Sequence, residues 1–287
     1  MLPFPIRNNI NFIVGLLLFV THFGFPQIIL SGKITEAQSG IPVPFASVII
    51  GNKHFGTLSN EQGDFRLKLP YITTKDTLKF SAIGYETQSY TGDDIKKMQG
   101  KVISLVPAQN DLNEIKINPN DVKKKTLGTK NYSKENCTAF ISEDDNWLGS
   151  QAAIKAGNKK GRNVYIESFS FYIIKNEYSD SLRFRVMLYG VSPAGYPSKT
   201  FLKRSVIFKT AIKQGEVKID LKEHYITTDD DFFISLECLE ENMDERKFCF
   251  AGSVNVPSYA KTRALNYWKY VKGGGADLNV TVSYLKE

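Results

Sequence analysis

Apolar and polar residues alternate with period two along much of the chain beyond residue 28. In the first hundred residues the clearest runs are 64–69 and 78–82. A period of two is typical of β-strands with one buried face. Glycine-containing pairs such as Ser39-Gly40 and Gln62-Gly63 separate the runs, as turns do. This part therefore predicts a β-sandwich without a long helix.

The same alternation returns in the second half of the chain. Two shorter apolar runs, 206–208 and 248–250, accompany it. Each run needs a second sheet to cover its apolar face, which favours a two-sheet sandwich or jelly roll. The fold class predicted for the whole chain is all-β. The main alternating runs are 169–173, 182–188, 217–221, 234–238 and 278–284.

Four motifs occur in a fixed order between residues 30 and 107. They are Gly32-Lys-Ile-Thr, Gly40-Ile-Pro-Val-Pro-Phe-Ala-Ser-Val, Gly56-Thr-Leu-Ser-Asn-Glu-Gln-Gly-Asp-Phe and Leu78-Lys-Phe-Ser-Ala-Ile-Gly-Tyr. In this order they resemble the carboxypeptidase-like regulatory domain, which is common in envelope proteins of Bacteroidetes. The resemblance implies a transthyretin-like, seven-stranded β-sandwich with no catalytic role. The runs 183–189, 217–221 and 231–237 look like the C-terminal half of short Bacteroidetes proteins that carry this domain; this second resemblance does not point to an activity.

A length of 287 residues favours two compact units. We predict a signal peptide at 1–26, the regulatory-like domain at 27–108, a linker at 109–136 and a jelly-roll-like β-sandwich at 137–287. The linker assignment rests on a stretch rich in Asn, Asp and Lys, with only a short apolar alternation at 112–117.

The first 26 residues have the pattern of a signal peptide. Arg7 supplies a basic start and residues 10–25 form an apolar run. The alternative is an uncleaved membrane anchor, which needs about 20 mostly apolar residues. We expect export to the periplasm, the outer-membrane surface or the medium, and a mature protein that is either free or associated with the outer membrane.

The three cysteines allow at most one intrachain disulfide. Cys238 and Cys249 flank a polar stretch between two apolar runs, as they would across a hairpin. The sequence leaves two interpretations open: a Cys238–Cys249 bond, or buried free thiols, since a one-residue change of register would separate the two side chains.

No catalytic or cofactor motif emerges from the chain. His54 and His224 are each followed three residues later by threonine, whereas zinc carboxypeptidases place glutamate there. The clusters 143–146 and 229–231 are acidic, but they lack the alternating oxygen spacing of a calcium loop. We therefore predict no enzyme activity, cofactor or metal. The alternative is a surface-polymer hydrolase that uses carboxylates drawn from Glu143, Asp145, Asp231 and Glu237, which would have to face each other across a cleft.

Aromatic residues near the C-terminus are the candidate ligand site. Flat exposed rings cover the apolar side of a sugar, although large aromatics in a sandwich are more often core. The net charge of +7 is concentrated in lysine stretches that lack the interleaved aromatics of a nucleic-acid module, so no nucleic-acid partner is expected. We predict a cell-envelope binding or scaffolding protein whose partner is a glycan or a protein. The candidate ligand-binding residues are Trp147, Tyr259, Tyr267, Trp268 and Tyr270.

Overall fold

The computed structural model describes residues 28–51, 53, 55–95, 97–109, 122–142, 146–158, 161–262 and 267–285. The predicted signal peptide, the apolar alternation at 112–117 and the carboxylates of Glu143 and Asp145 lie outside these residues. Within the described ranges, no helix is long and apolar enough to cross a membrane.

Residues 28–109 form an N-terminal sandwich with the predicted seven strands. A three-stranded sheet has the order β4-β1-β7, and a four-stranded sheet has the order β3-β2-β5-β6. The predicted alternation is confirmed, because Phe65, Leu67 and Leu69 are buried while their neighbours along the strand are exposed. The strands are β1 (Ile28–Glu36), β2 (Ser47–Ile50), β3 (Gly56–Leu58), β4 (Asp64–Leu69), β5 (Thr77–Ser81), β6 (Gln88–Thr91) and β7 (Val102–Leu105), with a one-turn helix α1 (Gly92–Ile95) after β6.

Gly63 shows why the second half of the Gly56–Phe65 motif needs glycine. Its φ is +78°, in the left-handed region that side chains disfavour. A Cβ at this position would lie 2.3 Å from the carbonyl oxygen of Ile34. The turn that delivers the chain into β4 therefore requires both the conformation and the small size of glycine.

Residues from Val122 onward form a C-terminal sandwich of two larger sheets. The β12 sheet has the order β13-β12-β17-β10-β19-β20, with β14 also paired to β12. The β11 sheet has the order β21-β18-β11-β22-β8, with β15 and β16 on β11 and β9 on β18. The strands are β8 (Val122–Gly128), β9 (Cys137–Thr138), β10 (Gln151–Ala156), β11 (Val164–Asn176), β12 (Leu182–Val191), β13 (Pro197–Thr200), β14 (Val206–Thr210), β15 (Gly215–Asp220), β16 (Thr227–Thr228), β17 (Phe232–Cys238), β18 (Phe248–Ser253), β19 (Ser258–Lys261), β20 (Lys269–Val271), β21 (Gly275–Ala276) and β22 (Leu278–Leu285).

The core between these two sheets is dominated by phenylalanine. Phe171 on β11, Phe184 on β12 and Phe250 on β18 are fully buried. The Phe171 and Phe184 rings lie 6.1 Å apart across the sandwich, and the Phe171 and Phe250 rings lie 6.3 Å apart. Such edge-to-face contacts add to the burial of large apolar area. All five main alternating runs of the second half lie in strands as predicted, apart from Leu221, which directly follows β15.

The lysine-rich part of the predicted linker is a strand, so the assignment of 109–136 as linker is wrong for residues 122–128. β8 pairs antiparallel with β22 along its whole length, from Asn279 opposite Gly128 to Leu285 opposite Val122. Its alternation is hidden because Lys123, Lys124 and Lys125 are all exposed, while Leu127 is buried in the core. Lysines on an edge strand discourage pairing with another chain, which explains this composition.

The disulfide joins Cys137 to Cys249, and the Cys238–Cys249 pairing is wrong. Cys238 lies on β17 in the β12 sheet, whereas Cys249 lies on β18 in the β11 sheet. The polar stretch between them therefore crosses from one sheet to the other and is not a hairpin. β9 pairs with β18 and places Cys137 with its Cα 5.7 Å from that of Cys249. Cys238 is a buried free thiol.

The two sandwiches contact each other through a small apolar cluster with polar bonds beside it. Phe45 and Leu58 of the N-terminal sandwich pack with Leu148 and Leu239 of the C-terminal sandwich. Nearby, Arg183 forms ion pairs with Glu61 of the N-terminal sandwich, at 2.9 Å, and with Glu240, at 2.8 Å. Arg185 also donates a hydrogen bond to the Phe45 carbonyl oxygen at 3.1 Å. These contacts cover one part of the outward face of the β12 sheet and leave the rest lining a cleft.

Candidate functional site

The outward face of the β12 sheet carries large side chains where a solvent-facing strand usually carries small polar ones. Strand register brings three rows into line across neighbouring strands. Glu237 on β17 lies opposite Arg185 on β12 and Gln151 on β10, and Gln151 lies opposite Lys261 on β19. The next rows place Ser235 opposite Met187 and Ala153, and Phe233 opposite Tyr189 and Lys155.

A buried polar network forms the floor of this face. Glu237 accepts a hydrogen bond from Arg185 Nε at 2.5 Å and another from Gln151 Nε2 at 3.1 Å. The Tyr189 hydroxyl donates to Gln151 Oε1 at 2.8 Å, and Ser235 Oγ donates to the same oxygen at 3.2 Å. Burial raises the pKa of Tyr189, and the Glu237 carboxylate raises it further. With its polar groups mutually bonded, the network fixes these side chains in place.

Lys261 differs from its neighbours in this network. Its Nζ lies 5.3 Å from the centroid of the Trp268 ring and 5.9 Å from that of Tyr189. The ammonium makes no hydrogen bond or ion pair with any side chain of the described residues. Burial lowers the pKa of Lys261; the Glu237 carboxylate opposes that shift and the Arg185 guanidinium adds to it. Among the described residues, two ring contacts and the longer-range attraction of Glu237 hold this half-buried cation.

Aromatic rings continue the face beyond the polar network. The rings of Tyr189 and Trp268 meet edge to face, with centroids 5.4 Å apart. Tyr259 lies 5.0 Å from Phe233, 5.3 Å from Tyr196 and 5.5 Å from Tyr270. Tyr196 and Tyr270 are 39% and 46% exposed, which makes them the accessible rings of the group. We call the rings of Tyr189, Tyr196, Tyr259, Trp268 and Tyr270 the aromatic face.

A cleft of about 670 Å³ lies between this face and the N-terminal sandwich. The N-terminal sandwich contributes one wall with residues such as Ser47, Ile49 and Tyr85. The opposite wall includes Lys261, Trp268 and the network around Glu237. Among the described residues that line the cleft, the basic ones are Arg185, Lys199, Lys203 and Lys261, and the acidic one is Glu237. The cleft is therefore positively charged.

The structure places the five predicted ligand-binding residues in three different settings. Tyr259, Trp268 and Tyr270 belong to the aromatic face. Tyr267 is half-buried, with Lys269 Nζ 5.7 Å from its ring centroid. Trp147 is only 4% exposed and packs edge to face on Phe140, at 5.6 Å, within the core. Trp147 is thus a core residue, as sandwich aromatics usually are.

The sequence did not predict three residues of this face: Tyr189, Tyr196 and Lys261. On β12 the residues that alternate with the core-facing ones are Arg185, Met187 and Tyr189. They are large and only partly polar, whereas the outward residues of a solvent-exposed strand are usually small and polar. That composition is a signal of a strand covered on both faces. Tyr196 and Lys261 carry no comparable local signal, because only the pairing of β19 and the β12–β13 turn bring them to this face.

Of the carboxylates proposed for a hydrolase, the two that the structure describes, Asp231 and Glu237, do not face each other. Asp231 pairs with Lys155 at 2.7 Å and accepts a hydrogen bond from the Asn158 backbone N–H at 2.8 Å. The Lys155 ion pair lowers the pKa of Asp231. Glu237 lies six residues further along the chain at the far end of β17, which at about 3.3 Å per residue is about 20 Å away. Paired glycosidase carboxyls are about 5 to 9.5 Å apart.

The described residues also offer no metal centre. Within the part of the chain that the structure covers, no three His, Cys, Asp or Glu side chains are grouped to hold an ion. Asp231, from the acidic cluster at 229–231, is engaged by Lys155.

The N-terminal sandwich, which forms one wall of the cleft, is similar to a known family. Residues 30–117 match the family described as CarboxypepD_reg-like domain. This segment is a CarboxypepD_reg-like domain. The expectation drawn from the four ordered motifs is thereby confirmed, and its seven strands form the predicted sandwich. The CarboxypepD_reg-like domain supplies Ser47, Ile49 and Tyr85 to the cleft.

The comparisons with whole proteins add little to this. No curated protein matches the chain. Among solved structures, the chain is similar to a structure of the infectious bursal disease virus Gx strain, with 10% identity, a TM-score of 0.26, and coverage of 91% of this chain and 60% of that one. A second, of the VP2 subviral particle of the same virus, has 10% identity, a TM-score of 0.27, and coverage of 91% and 64%. The chain thus spans less than two thirds of these viral chains.

A third solved structure is described as one of carbohydrate-binding modules from the β-sandwich superfamily. It has 10% identity and a TM-score of 0.15, and the match covers 90% of this chain and 95% of that one.

Proposed function

We propose that this chain is an exported, non-catalytic binding protein of a bacterial cell envelope, and that it binds a glycan on the aromatic face. The observation that carries the proposal is the group of rings around Tyr259, of which Tyr196 and Tyr270 are open to solvent. Aromatic rings bind the apolar side of sugars while their polar edges stay hydrated. The hydroxyl groups of Ser198 and Thr200, which line the same cleft as Tyr189 and Trp268, suit the hydroxyls of a sugar.

Export is supported by two independent features of the chain. Arg7 and the apolar run at 10–25 have the order of a signal peptide. The Cys137–Cys249 disulfide fits an oxidising compartment such as the periplasm or the medium. Intact-mass analysis of protein from its native host should show a mature chain that begins near residue 27. An intact Met1 on soluble cytoplasmic protein would contradict this expectation.

A hydrolase that uses carboxylates remains the alternative. It would need two carboxyl groups across a cleft, one of which can donate a proton. Glu237 is bonded to Arg185 and Gln151, and Asp231 to Lys155, which favours structural roles for both side chains. Incubation of the protein with envelope polysaccharides, followed by reducing-end assay, separates the two proposals. Release of new reducing ends that Glu237→Gln abolishes would favour the hydrolase.

A glycan array combined with two tyrosine variants tests the binding proposal. Tyr270→Ala should weaken glycan binding by about 1 to 3 kcal/mol, with base stacking on aromatic side chains as the guide. Its melting temperature should stay close to that of the wild type, because the ring is 46% exposed. The matched control is Tyr71→Ala, since Tyr71 is a 57% exposed tyrosine on the N-terminal sandwich, outside the aromatic face.

Two outcomes would count against this proposal. If Tyr270→Ala and Tyr71→Ala bind the retained glycan as well as the wild type does, the aromatic face is not the site. If no glycan is retained while a purified envelope protein binds the wild type and loses affinity with Tyr270→Ala, the face binds protein instead.

A further inference from the structure

Within the part of the chain that the structure describes, no group accepts a hydrogen bond from the Lys261 ammonium. Its neighbours in the cleft are satisfied, because Arg185 donates to Glu237 and to the Phe45 carbonyl, and Gln151 is bonded to Glu237, Tyr189 and Ser235. Among the described residues, the Lys261 ammonium contacts the rings of Trp268 and Tyr189, and Glu237 attracts it without a hydrogen bond or ion pair. Contact with ring faces holds the ammonium in position and leaves its three N–H donors available.

The setting of Lys261 would be costly without a ligand. Lys261 is half-buried, and a lysine that is partly removed from water without a counter-ion of its own destabilises the folded protein. Glu237, the acidic residue among those that line the cleft, is already bonded to Arg185. Lys199 and Lys203 add positive charge on the same cleft. The described residues that line the cleft therefore leave Lys261 without a counter-ion of its own, a role that a bound anion can fill.

The position of Lys261 relates it to the aromatic face. Tyr259 and Lys261 are two residues apart on β19 and project from the same side of the sheet, about 7 Å from each other. That spacing is close to the length of one sugar unit plus a substituent, so a ring stacked near Tyr259 can present a charged group to Lys261.

We infer that the ligand is an acidic glycan, and that Lys261 binds the carboxylate or sulfate group of one of its sugars inside the cleft. This inference rests on the proposed glycan-binding function and specifies its ligand class. The ammonium donates charge-assisted hydrogen bonds to the anionic oxygens, and Trp268 and Tyr189 flank the group that is bound. The positive charge of the cleft favours the approach of an acidic polymer over a neutral one.

A matched pair of probes tests the inference on the full mature protein. The first probe is a uronic-acid oligosaccharide, and the second is the same oligosaccharide fully methyl-esterified, which keeps the sugar rings and removes the charge. The wild type should bind the acid form more tightly than the ester. Lys261→Met keeps the apolar length of the side chain and removes the ammonium; it should weaken binding of the acid form by about ten- to a hundredfold. Binding of the ester should not change.

Two further variants sharpen the result. Lys261→Arg keeps the charge and should retain most of the preference for the acid form. Lys218→Met removes the same charge from an exposed position on β15 in the β11 sheet, and should leave binding of both probes as in the wild type. A general effect of net charge would instead weaken binding equally in Lys218→Met and Lys261→Met.

The outcomes distinguish this inference from the function on which it rests. An array of neutral, carboxylated and sulfated glycans that retains none of them overturns both. Retention of neutral glycans alone, or an acidic glycan bound equally well by wild type and Lys261→Met, overturns the inference and leaves the glycan-binding proposal in place. Retention of sulfated but not carboxylated glycans, lost in Lys261→Met, supports the inference with sulfate as the anionic group.

Discussion

At the scale of single residues, the ion pair between Arg185 and Glu237 is the most consequential contact of the cleft. Both side chains are almost fully buried, at 7% and 3% exposure. Their bonds connect the floor of the cleft to the Phe45 carbonyl of the CarboxypepD_reg-like domain. A buried charge that loses its partner is expensive because no water replaces the lost interaction.

Glu237→Ala should therefore lower the free energy of unfolding by about 3 to 5 kcal/mol, since it leaves Arg185 buried and unpaired. Urea denaturation followed by fluorescence measures the change. The control is Glu177→Ala, which breaks the exposed Lys175–Glu177 pair and should cost about 0 to 1 kcal/mol. Equal losses in the two variants would show that the buried pair contributes no more than a surface pair does.

Removal of the Lys261 charge should stabilise the folded protein, in contrast to the loss of Glu237. Its pKa in the folded protein lies below the ordinary value of 10.5, because burial outweighs the attraction of Glu237. Between the two values the unfolded state binds more protons, so the free energy of unfolding rises with pH in that window. At pH values below this window Lys261 is charged in both states, and the folded protein bears the whole free-energy penalty of the half-buried ammonium. Tyr189 and Arg185 of β12, with Glu237 of β17, are the charged or titratable groups that face this ammonium.

Lys261→Met should accordingly be more stable than the wild type at neutral pH, and the difference should narrow as pH approaches 10.5. Differential scanning calorimetry over a pH series measures both effects. A variant that is less stable than the wild type at pH 7 would mean that ring contacts already compensate the buried charge.

At the scale of secondary-structure elements, the disulfide attaches the short strand β9 to β18. Residues 137 and 249 are 112 positions apart, so the bond closes a long loop in the unfolded chain. Long loops lose the most conformational entropy on closure, although the measured stabilisation varies. β9 has only two residues, Cys137 and Thr138, and its other support is pairing with β18.

Cys137→Ser should lower the free energy of unfolding by about 2 to 5 kcal/mol. Reductant should lower the melting temperature of the wild type but not that of Cys137→Ser, which serves as the internal control. The wild type should show one free thiol, that of Cys238, which reacts only after unfolding because burial raises its pKa. A wild type whose melting temperature is unaffected by reductant would contradict the assigned bond.

At the scale of the whole molecule, the cleft exists because the two sandwiches dock. The docking surface combines apolar and polar contacts: Phe45 and Leu58 pack against Leu148 and Leu239, and Arg183 joins Glu61 to Glu240. Interfaces between domains of one chain are often of this mixed, partly polar kind and allow the domains to move apart. The geometry of the cleft is therefore sensitive to substitutions on either side of this interface.

Leu58→Asp should separate the sandwiches without unfolding either, because Leu58 packs in the interface cluster and not in the N-terminal core. Small-angle X-ray scattering should show a larger radius of gyration, and binding of an acidic glycan in the cleft should weaken. Val102→Asp is the control, since Val102 is 58% exposed on the same sandwich. A compact Leu58→Asp protein with wild-type affinity would show that docking does not depend on this cluster.

The sequence by itself determined the class of fold and most of its strands. The period-two runs specify strands because every second side chain of a half-buried strand faces the core and is apolar. Residues 65–69 and 182–188 show this pattern. The ordered glycine motifs identified the N-terminal domain because turns such as that at Gly63 admit no side chain. Export and the absence of catalysis are also expectations of the sequence, and both await their experiments.

Only the tertiary structure decided which strands share a sheet and which side chains share a site. β8 has no readable alternation, since an edge strand needs only Leu127 in the core, and its place is set by pairing with β22. The partner of Cys249 follows from the pairing of β9 with β18. Tyr189 is distant in the chain from Lys261 and Trp268, and the three meet on the β12 sheet, as Tyr196 and Tyr259 do. Strand pairing, the disulfide and the grouping of these side chains all depend on contacts between distant segments of the chain. A local sequence pattern therefore does not predict them.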